Sequence, residues 1–444
     1  MPESSNEIQS ATASINNEDQ STQKEAHIPG GNEKNNDELV IEIRKMVEGP
    51  EIQSSKQSLI YKVLPLLRKW NEEAYTPQVI SIGPIHHENK RLKAMEEHKE
   101  RFFRSFVKRS KIELEYLVGT IREMEESIRG CYAETIDLTG DRFVKMILMD
   151  ASFILELFFK FSSRSWTSDD PMFLKPRSSA IRVDLLLLEN QLPFFVIQKL
   201  HQLSFPYDSS ISNSNALLEL SISFFGGSSN FQFMDNLPDV EIYHFTDLLR
   251  IVQLPKKRPK RVRQHTELLY TATQLHEAGV KFGVLKSKCR FDIKFENGVL
   301  KIPKFELDNW TEVVTRNIMA LEQTRYIKNA YFADYFVLMD SLINTREDVD
   351  LLCKKKILVN CIGDHNAAMS MINNLNNGIE CLTLREDYID LYKKLHSFYE
   401  NPWNKWKATL KRQYFDTPWR AASTVAAIVL LVLTLIQTAF SILK

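Results

Sequence analysis

From Ala421 to Leu443 the chain runs for 23 residues without a charged side chain, and only Lys444 is written after it. As a helix rising about 1.5 Å per residue, this stretch is roughly 34 Å long, enough to cross a hydrocarbon core of about 30 Å. Its twelve Val, Ile, Leu and Phe residues favour insertion by about 4–7 kcal/mol in total at helix-centre values. Ser423, Thr424, Thr434, Gln437, Thr438 and Ser441 reduce that gain, but none adds a charge. A buried core helix is the competing assignment, yet this segment is apolar on every side and free of charge. The spacing therefore predicts one C-terminal transmembrane helix over 421–443, with membrane lipid as its partner.

The flanks give this anchor a direction. Segment 411–420 is basic and aromatic: Lys411, Arg412 and Arg420 outweigh Asp416, while Tyr414, Phe415 and Trp419 are placed for the headgroup level. Trp403 and Trp406 lie further upstream. More positive charge before the span than after it puts the bulk of the chain in the cytosol, as a single-pass C-terminal anchor. A glycolipid-anchor signal needs a polar spacer, whereas Ala421, Ala422 and Ser423 run straight into the apolar tail. At the other end, residues 1–37 contain no aromatic residue and no apolar run of the length a secretory signal requires. Their Ser, Asn, Glu and Gln content predicts a disordered polar tail. Cys131, Cys289, Cys353, Cys361 and Cys381 are odd in number and form no C-x-x-C pair, which suits a reducing compartment. The single glycosylation sequon, Asn309-Trp310-Thr311, carries no meaning in a cytosolic domain.

Between the tail and the membrane segment, 38–410 is rich enough to bury a large core, since the chain is 43% hydrophobic and 10% aromatic. Its patterning predicts a mainly α, large helical domain with a small β-hairpin element. Leu114, Leu117, Ile121, Met124 and Ile128 recur at three- and four-residue steps, and Leu92, Met95, Phe102, Phe103 and Phe106 mark a second helix. Arg142–Phe161 is apolar on nearly every face, but Lys145, Asp150 and Glu156 make it a central core helix instead of a span. Ile181–Leu200 is similar, with Pro193 expected to kink or divide it. The hairpin is expected where Asn297-Gly298 would pair Phe295 with Leu300 and Ile293 with Ile302, with Pro303 limiting the second strand to an edge or bulge. Short extended pieces are expected around Tyr61–Val63 and Gln78–Ser81.

Motifs that would name a chemistry are missing. The sequence has no G-x-S-x-G elbow, phosphate loop, dinucleotide fingerprint or H-E-x-x-H pair. His276-Glu277 lacks a second histidine four residues on, and Gly226-Gly227-Ser228-Ser229 has the composition of a flexible loop. Zinc on Cys353, Cys361, His365 and Cys381 would need a spacing that no compact knuckle uses, so no metal and no cofactor is expected. His86 and His87 with Glu96, Glu97 and His98 either line a polar site or form a capped turn leading into a charged helix face; the latter is favoured. The formal net charge of zero gives no global field for nucleic acid.

Two local signals stand out. Lys256, Lys257, Arg258, Lys260, Arg261 and Arg263 put six basic residues in eight, either a solvated loop bracketed by Pro255 and Pro259 or a contact for an anionic surface. A nuclear-import signal is a weaker third assignment. The run Asp184-Leu-Leu-Leu-Leu-Glu-Asn-Gln-Leu-Pro-Phe-Phe195 sets acids and amides inside an apolar stretch, which predicts either a polar network in the core or a recognition groove.

Several blocks together resemble one family. Ser81-Ile-Gly-Pro-Ile-His-His87 followed by Met95-Glu-Glu-His-Lys99 is similar to the opening signature of the plant domain-of-unknown-function 247 family (DUF247, also UPF0481). So are Asp150-Ala-Ser-Phe-Ile-Leu-Glu-Leu157, Leu188-Glu-Asn-Gln-Leu-Pro-Phe194 and Ala272-Thr-Gln-Leu-His-Glu-Ala-Gly-Val280. Asn297-Gly-Val-Leu-Lys-Ile-Pro303, Asp340-Ser-Leu-Ile-Asn-Thr345 and Tyr414-Phe-Asp-Thr-Pro-Trp419 extend the resemblance almost to the end. Ala151-Ser152 departs from the Gly-Cys-like pair of many relatives, which argues against a functional thiol there. The resemblance implies a helical body with one C-terminal membrane helix and no established catalysis; some relatives take part in pollen–stigma recognition in grasses.

Together these features lead to the expectation of a membrane-anchored, non-enzymatic plant protein acting in protein–protein recognition or signalling. Its protein partner is unknown, and no nucleic acid or small-molecule substrate is inferred. The alternative is a membrane-bound enzyme acting on a lipid or apolar substrate, using acids such as Glu96, Glu97 or Glu189 in a cleft.

Overall fold

Asp150 and Glu156, the two acids that argue against a membrane span at 142–161, lie in the longest helix of the body. The computed structural model describes residues 33–48, 58–165, 175–204, 216–226, 240–255, 258–263, 270–380, 383–414 and 418–443. Two units are distinguished, 1–56 and 57–444. In the first, helix α1 (Glu33–Glu48) presents Leu39, Val40, Ile41, Ile43 and Val47 exposed. Glu33–Asp37, expected to belong to the disordered tail, form the first turn of α1 instead; 1–32 lie outside the described residues.

In the second unit, α2 (Pro65–Arg68), α3 (Ala94–Ser110), α4 (Leu114–Glu123), α5 (Glu125–Gly130) and α6 (Gly140–Ser163) form the first group of helices. Helix α6 packs on α3 and α4, and also on α8 (Phe194–Ser204) and α9 (Ala216–Phe225). Phe143, Ile147, Ile154 and Phe158 are among its many buried residues, and Phe153 meets Phe102 of α3 at 5.0 Å between ring centroids. The stripe expected to run as one helix from Leu114 to Ile128 breaks at Met124 into α4 and α5, yet still buries Leu117, Ile121 and Ile128. Of the helix expected over 181–200, α7 (Lys175–Asp184) takes only the first four residues, 185–193 is not helical, and α8 begins just after Pro193.

Helices α10 (Phe245–Ile251), α11 (Ala272–Glu277), α12 (Thr311–Thr324), α13 (Tyr331–Leu342), α14 (Arg346–Lys354), α15 (His365–Leu375) and α16 (Glu386–Glu400) complete the body. One core cluster runs through both helical groups, from Ile60 to Leu395. Among the described residues, three small sheets are set between these helices. Strand β1 (Arg261–Val262) pairs antiparallel with β7 (Leu384–Arg385), and β5 (Phe305–Leu307) pairs parallel with β6 (Leu358–Asn360). The third has the order β2 (Lys281–Leu285), β4 (Val299–Pro303), β3 (Lys294–Glu296). The hairpin forms at its turn end as expected, with Phe295 paired to Leu300 and Asn297 and Gly298 both at positive φ, but β3 begins at Lys294, so the expected Ile293–Ile302 pair is not in the ladder. Its second strand is central, however, because β2 adds on in parallel. Pro303 is tolerated there because β3 stops opposite Lys301, leaving no strand to receive its missing N–H on that side. Tyr61–Val63 and Gln78–Ser81 join no sheet.

The chain closes with α17 (Pro402–Tyr414) and α18 (Pro418–Ile442). None of the residues of α18 is buried, and it is the one helix among the described residues long and apolar enough to cross a membrane.

Candidate functional site

The acids and amides of 184–191 form a polar network in the core. Asp184 accepts hydrogen bonds from the backbone N–H groups of Gln78, Val79 and Ile80 at 2.9, 2.7 and 2.8 Å. Asn190 accepts from Ile82 N–H at 2.7 Å and donates to the carbonyls of Ile80 and Asp184. Gln191 donates to the carbonyls of Leu185 and Leu187, and accepts from the Phe245 N–H at 2.9 Å. The irregular segment 78–83 thus has its backbone groups met by side chains where a strand would be met by a neighbouring strand. Gly83 ends it at φ +74°, donating to Asp150 at 2.8 Å.

Asp150 links this network to α3. Lys99, fully buried, lies 2.7 Å from Asp150 and 2.8 Å from Glu96. Burial alone would lower the Lys99 ammonium, but the two carboxylates outweigh it and hold its pKa above the ordinary value. Glu189 accepts from Val63 N–H at 2.6 Å, from Arg68 at 2.5 Å and from His86 at 3.1 Å. Burial works to raise its carboxyl, yet the hydrogen bonds from His86, Arg68 and Val63 prevail and its pKa lies below the usual range. Burial pushes Asp184 the other way, up to about 6, against its three backbone donors. Three of the blocks that carry the family resemblance therefore meet in one place, joined by hydrogen bonds and ion pairs. Such a network fixes a conformation.

Of the histidines and acids that could have lined a polar site, His86 goes to Glu189 and Glu96 to Lys99, while Glu97 lies exposed. Among the described residues no group of three or more His, Cys, Asp or Glu is placed to hold a metal ion; Cys381 lies outside them. Gly227, Ser228 and Ser229 also lie outside.

The run 184–195 is thus a core network and no groove; a groove lies elsewhere on the body. A surface cavity of about 510 Å³ opens between α3, α4 and α6, with Phe103, Leu114, Val118, Val144 and Leu148 in its lining. Charged groups edge it: Glu100 pairs with Arg104 along α3, and Arg122 of α4 meets Asp141 of α6 at 2.5 Å. An apolar lining with a charged edge and this volume suits an apolar anchor group of a ligand or partner. Leu114 was legible as part of a helical stripe; Val118, which lies off that stripe, and the exposure of Leu114 were not.

The basic run divides. Arg261 is committed to the interior, with its guanidinium on both oxygens of Asp334 at 2.7 and 2.9 Å, so it is not available to an anionic surface. Arg258, Lys260 and Arg263 are exposed; Lys256 and Lys257 lie outside the described residues. At the C-terminal end, Tyr414, Trp419 and Arg420 are exposed, whereas Phe415 and the side chains of Lys411 and Arg412 lie outside the described residues. The sequon threonine is occupied, since the Thr311 hydroxyl donates to Asp308 at 2.7 Å.

Comparison with known proteins adds a family and no activity. A family model described as "Plant protein of unknown function" (DUF247) matches residues 60–433. UPF0481 protein At3g47200 of Arabidopsis thaliana is 27% identical, over 87% of this chain and 86% of its own length. Putative UPF0481 protein At3g02645 of the same plant is 23% identical, over 85% of this chain and 89% of its own length. No solved structure matches the chain.

Proposed function

The chain belongs to the plant DUF247 family, and from that premise we propose that it is a membrane-anchored, non-enzymatic protein that recognises a protein partner. The observation that carries this reading is α18, 25 residues long with none buried and no charge from Ala421 to Leu443. A fully exposed helix of this composition is unstable in water and at home in lipid. The body lies on the cytosolic side, because Lys411, Arg412 and Arg420 precede the span. Partner binding falls to the groove between α3, α4 and α6. On this reading the protein takes no cofactor and no small-molecule substrate, and contacts no nucleic acid.

The enzyme alternative needs carboxylates held ready for proton transfer in a cleft. Glu189 is instead stabilised in its charged form and saturated by Arg68, His86 and Val63, which supports the binding role. The test is co-purification of the full chain from detergent-solubilised plant membranes, beside a Leu114→Glu, Val118→Glu variant. A protein recovered reproducibly with the native chain and lost with the variant is the expected result. No reproducible partner, or a partner indifferent to the variant, overturns groove recognition. Release of the chain by a carbonate wash overturns anchoring.

A further inference from the structure

Helix α17 turns its most apolar side chains to solvent. Trp403, Trp406, Leu410 and Tyr414 recur at three- and four-residue steps, and are exposed to 73, 62, 39 and 48%. The opposite side is held by the body. The Asn404 amide donates to the Phe398 carbonyl at 2.9 Å, and Ala408 lies against Gly279, where an added Cβ would stand 3.2 Å away. The stripe thus cannot turn inward without giving up that seat. Single exposed apolar residues are ordinary, but two tryptophans in edge contact at 5.8 Å, continued by leucine and tyrosine, form an organised face.

Charge and position say what covers it. The helix contains Lys405, Lys407, Lys411 and Arg412 and no acid. Only residues 415–417 separate it from α18, and the Thr424 hydroxyl reaches back to the Tyr414 carbonyl at 3.2 Å. Tryptophan and tyrosine favour the membrane–water boundary, where ring and polar edge are both satisfied. Basic residues beside such a face are attracted by acidic headgroups.

We propose that α17 is an interfacial helix, lying with Trp403, Trp406, Leu410 and Tyr414 in the headgroup layer of an anionic bilayer. This rests on the anchoring of α18 and adds a second, lipid-selective contact. Because α17 is also seated on the body through Asn404 and Ala408, it fixes which side of the body faces the membrane. The span alone would leave that side free.

The test uses the full chain reconstituted into vesicles of phosphatidylcholine, alone or mixed with phosphatidylserine, carrying a brominated lipid at headgroup depth. Of the three tryptophans at the membrane end, two lie on α17, so Trp403→Phe with Trp406→Phe is expected to remove about two thirds of the headgroup-level quenching. Phosphatidylserine is expected to increase quenching of the native chain, and Lys407→Glu with Lys411→Glu to abolish that increase. Quenching unchanged by the tryptophan replacements overturns the proposal, and means that water or protein covers the stripe. Quenching equal in both lipids overturns its anionic selectivity. A carbonate wash of the same vesicles separates the two readings: release means that the anchor has failed, retention without quenching that α17 alone has.

Discussion

Gly83 stands where the backbone turns left-handed and another chain segment is closest. A Cβ on it would lie 2.5 Å from the Gln191 carbonyl oxygen, at φ +74°. Gly83→Ala is therefore expected to cost about 1–3 kcal/mol from backbone conformation alone, read as a lowered thermal midpoint of the detergent-solubilised chain. His244 makes a different demand. Its Nδ1 accepts the Asp247 N–H at 3.3 Å to cap α10, so the ring must be neutral there. Burial, with the Arg325 charge adding, pushes its pKa down to about 3. An unfolded histidine binds a proton near pH 6.5, so below that pH the unfolded chain holds a proton that the folded chain does not. Stability from this group is complete above about 6.5 and falls by about 1.4 kcal/mol per unit as pH drops towards 3. His244→Asn keeps a capping group without the titration. The loss of stability between pH 7 and pH 5 is expected to shrink by about 2 kcal/mol in that variant, measured by denaturant midpoints at both pH values.

At the scale of elements, α3 and α6 are joined by Phe102 against Phe153 and by Lys99 against Asp150. The ion pair is the vulnerable part, because both groups are buried. Asp150→Ala leaves the buried Lys99 charge with the half-buried Glu96 alone and leaves the Gly83 N–H without its acceptor, with an expected cost of about 3 kcal/mol. Phe153→Leu should cost less, since it shortens a contact without leaving a charge; comparison of the two thermal midpoints checks the order. Much of this layer was legible in the sequence: α3 and α6 by their periodicity, the turn of the β3–β4 hairpin by Asn297-Gly298, the start of α8 by Pro193. Each of those signals is local. The parallel partners of β4 and β5 were not legible, because three to five residues give no period and their mates lie far along the chain. The acids at 184–191 announced a need for partners, but not that the partners would be the backbone amides of 78–83. The groove was hidden for a related reason: periodicity locates a helix face, and only packing decides how much of it is covered. Arg261 was misplaced because a basic run reads as uniformly solvated, while Asp334, its partner, sits 73 residues away.

For the whole molecule, the body and the anchor are separate problems in solvation. The core from Ile60 to Leu395 includes no residue of α18, so the body does not depend on the span for its packing. Insertion rests on the twelve large apolar residues of 421–443, about 4–7 kcal/mol before the polar residues are counted. One arginine at the centre costs about 2.5–3.5 kcal/mol, which leaves Leu431→Arg near balance and divided between membrane and soluble fractions. Adding Leu433→Arg doubles the cost and removes a second leucine, so the chain is expected to leave the membrane in a carbonate wash. Leu443→Arg places the same charge where its side chain reaches the interface, and retention should match the native chain. The released double variant should keep the near-ultraviolet circular dichroism of the detergent-solubilised native chain, because no core contact has been touched. If instead it stays with the membrane, the charge-free helix is not what holds the protein there; if it leaves but loses that spectrum, the body needs the span after all.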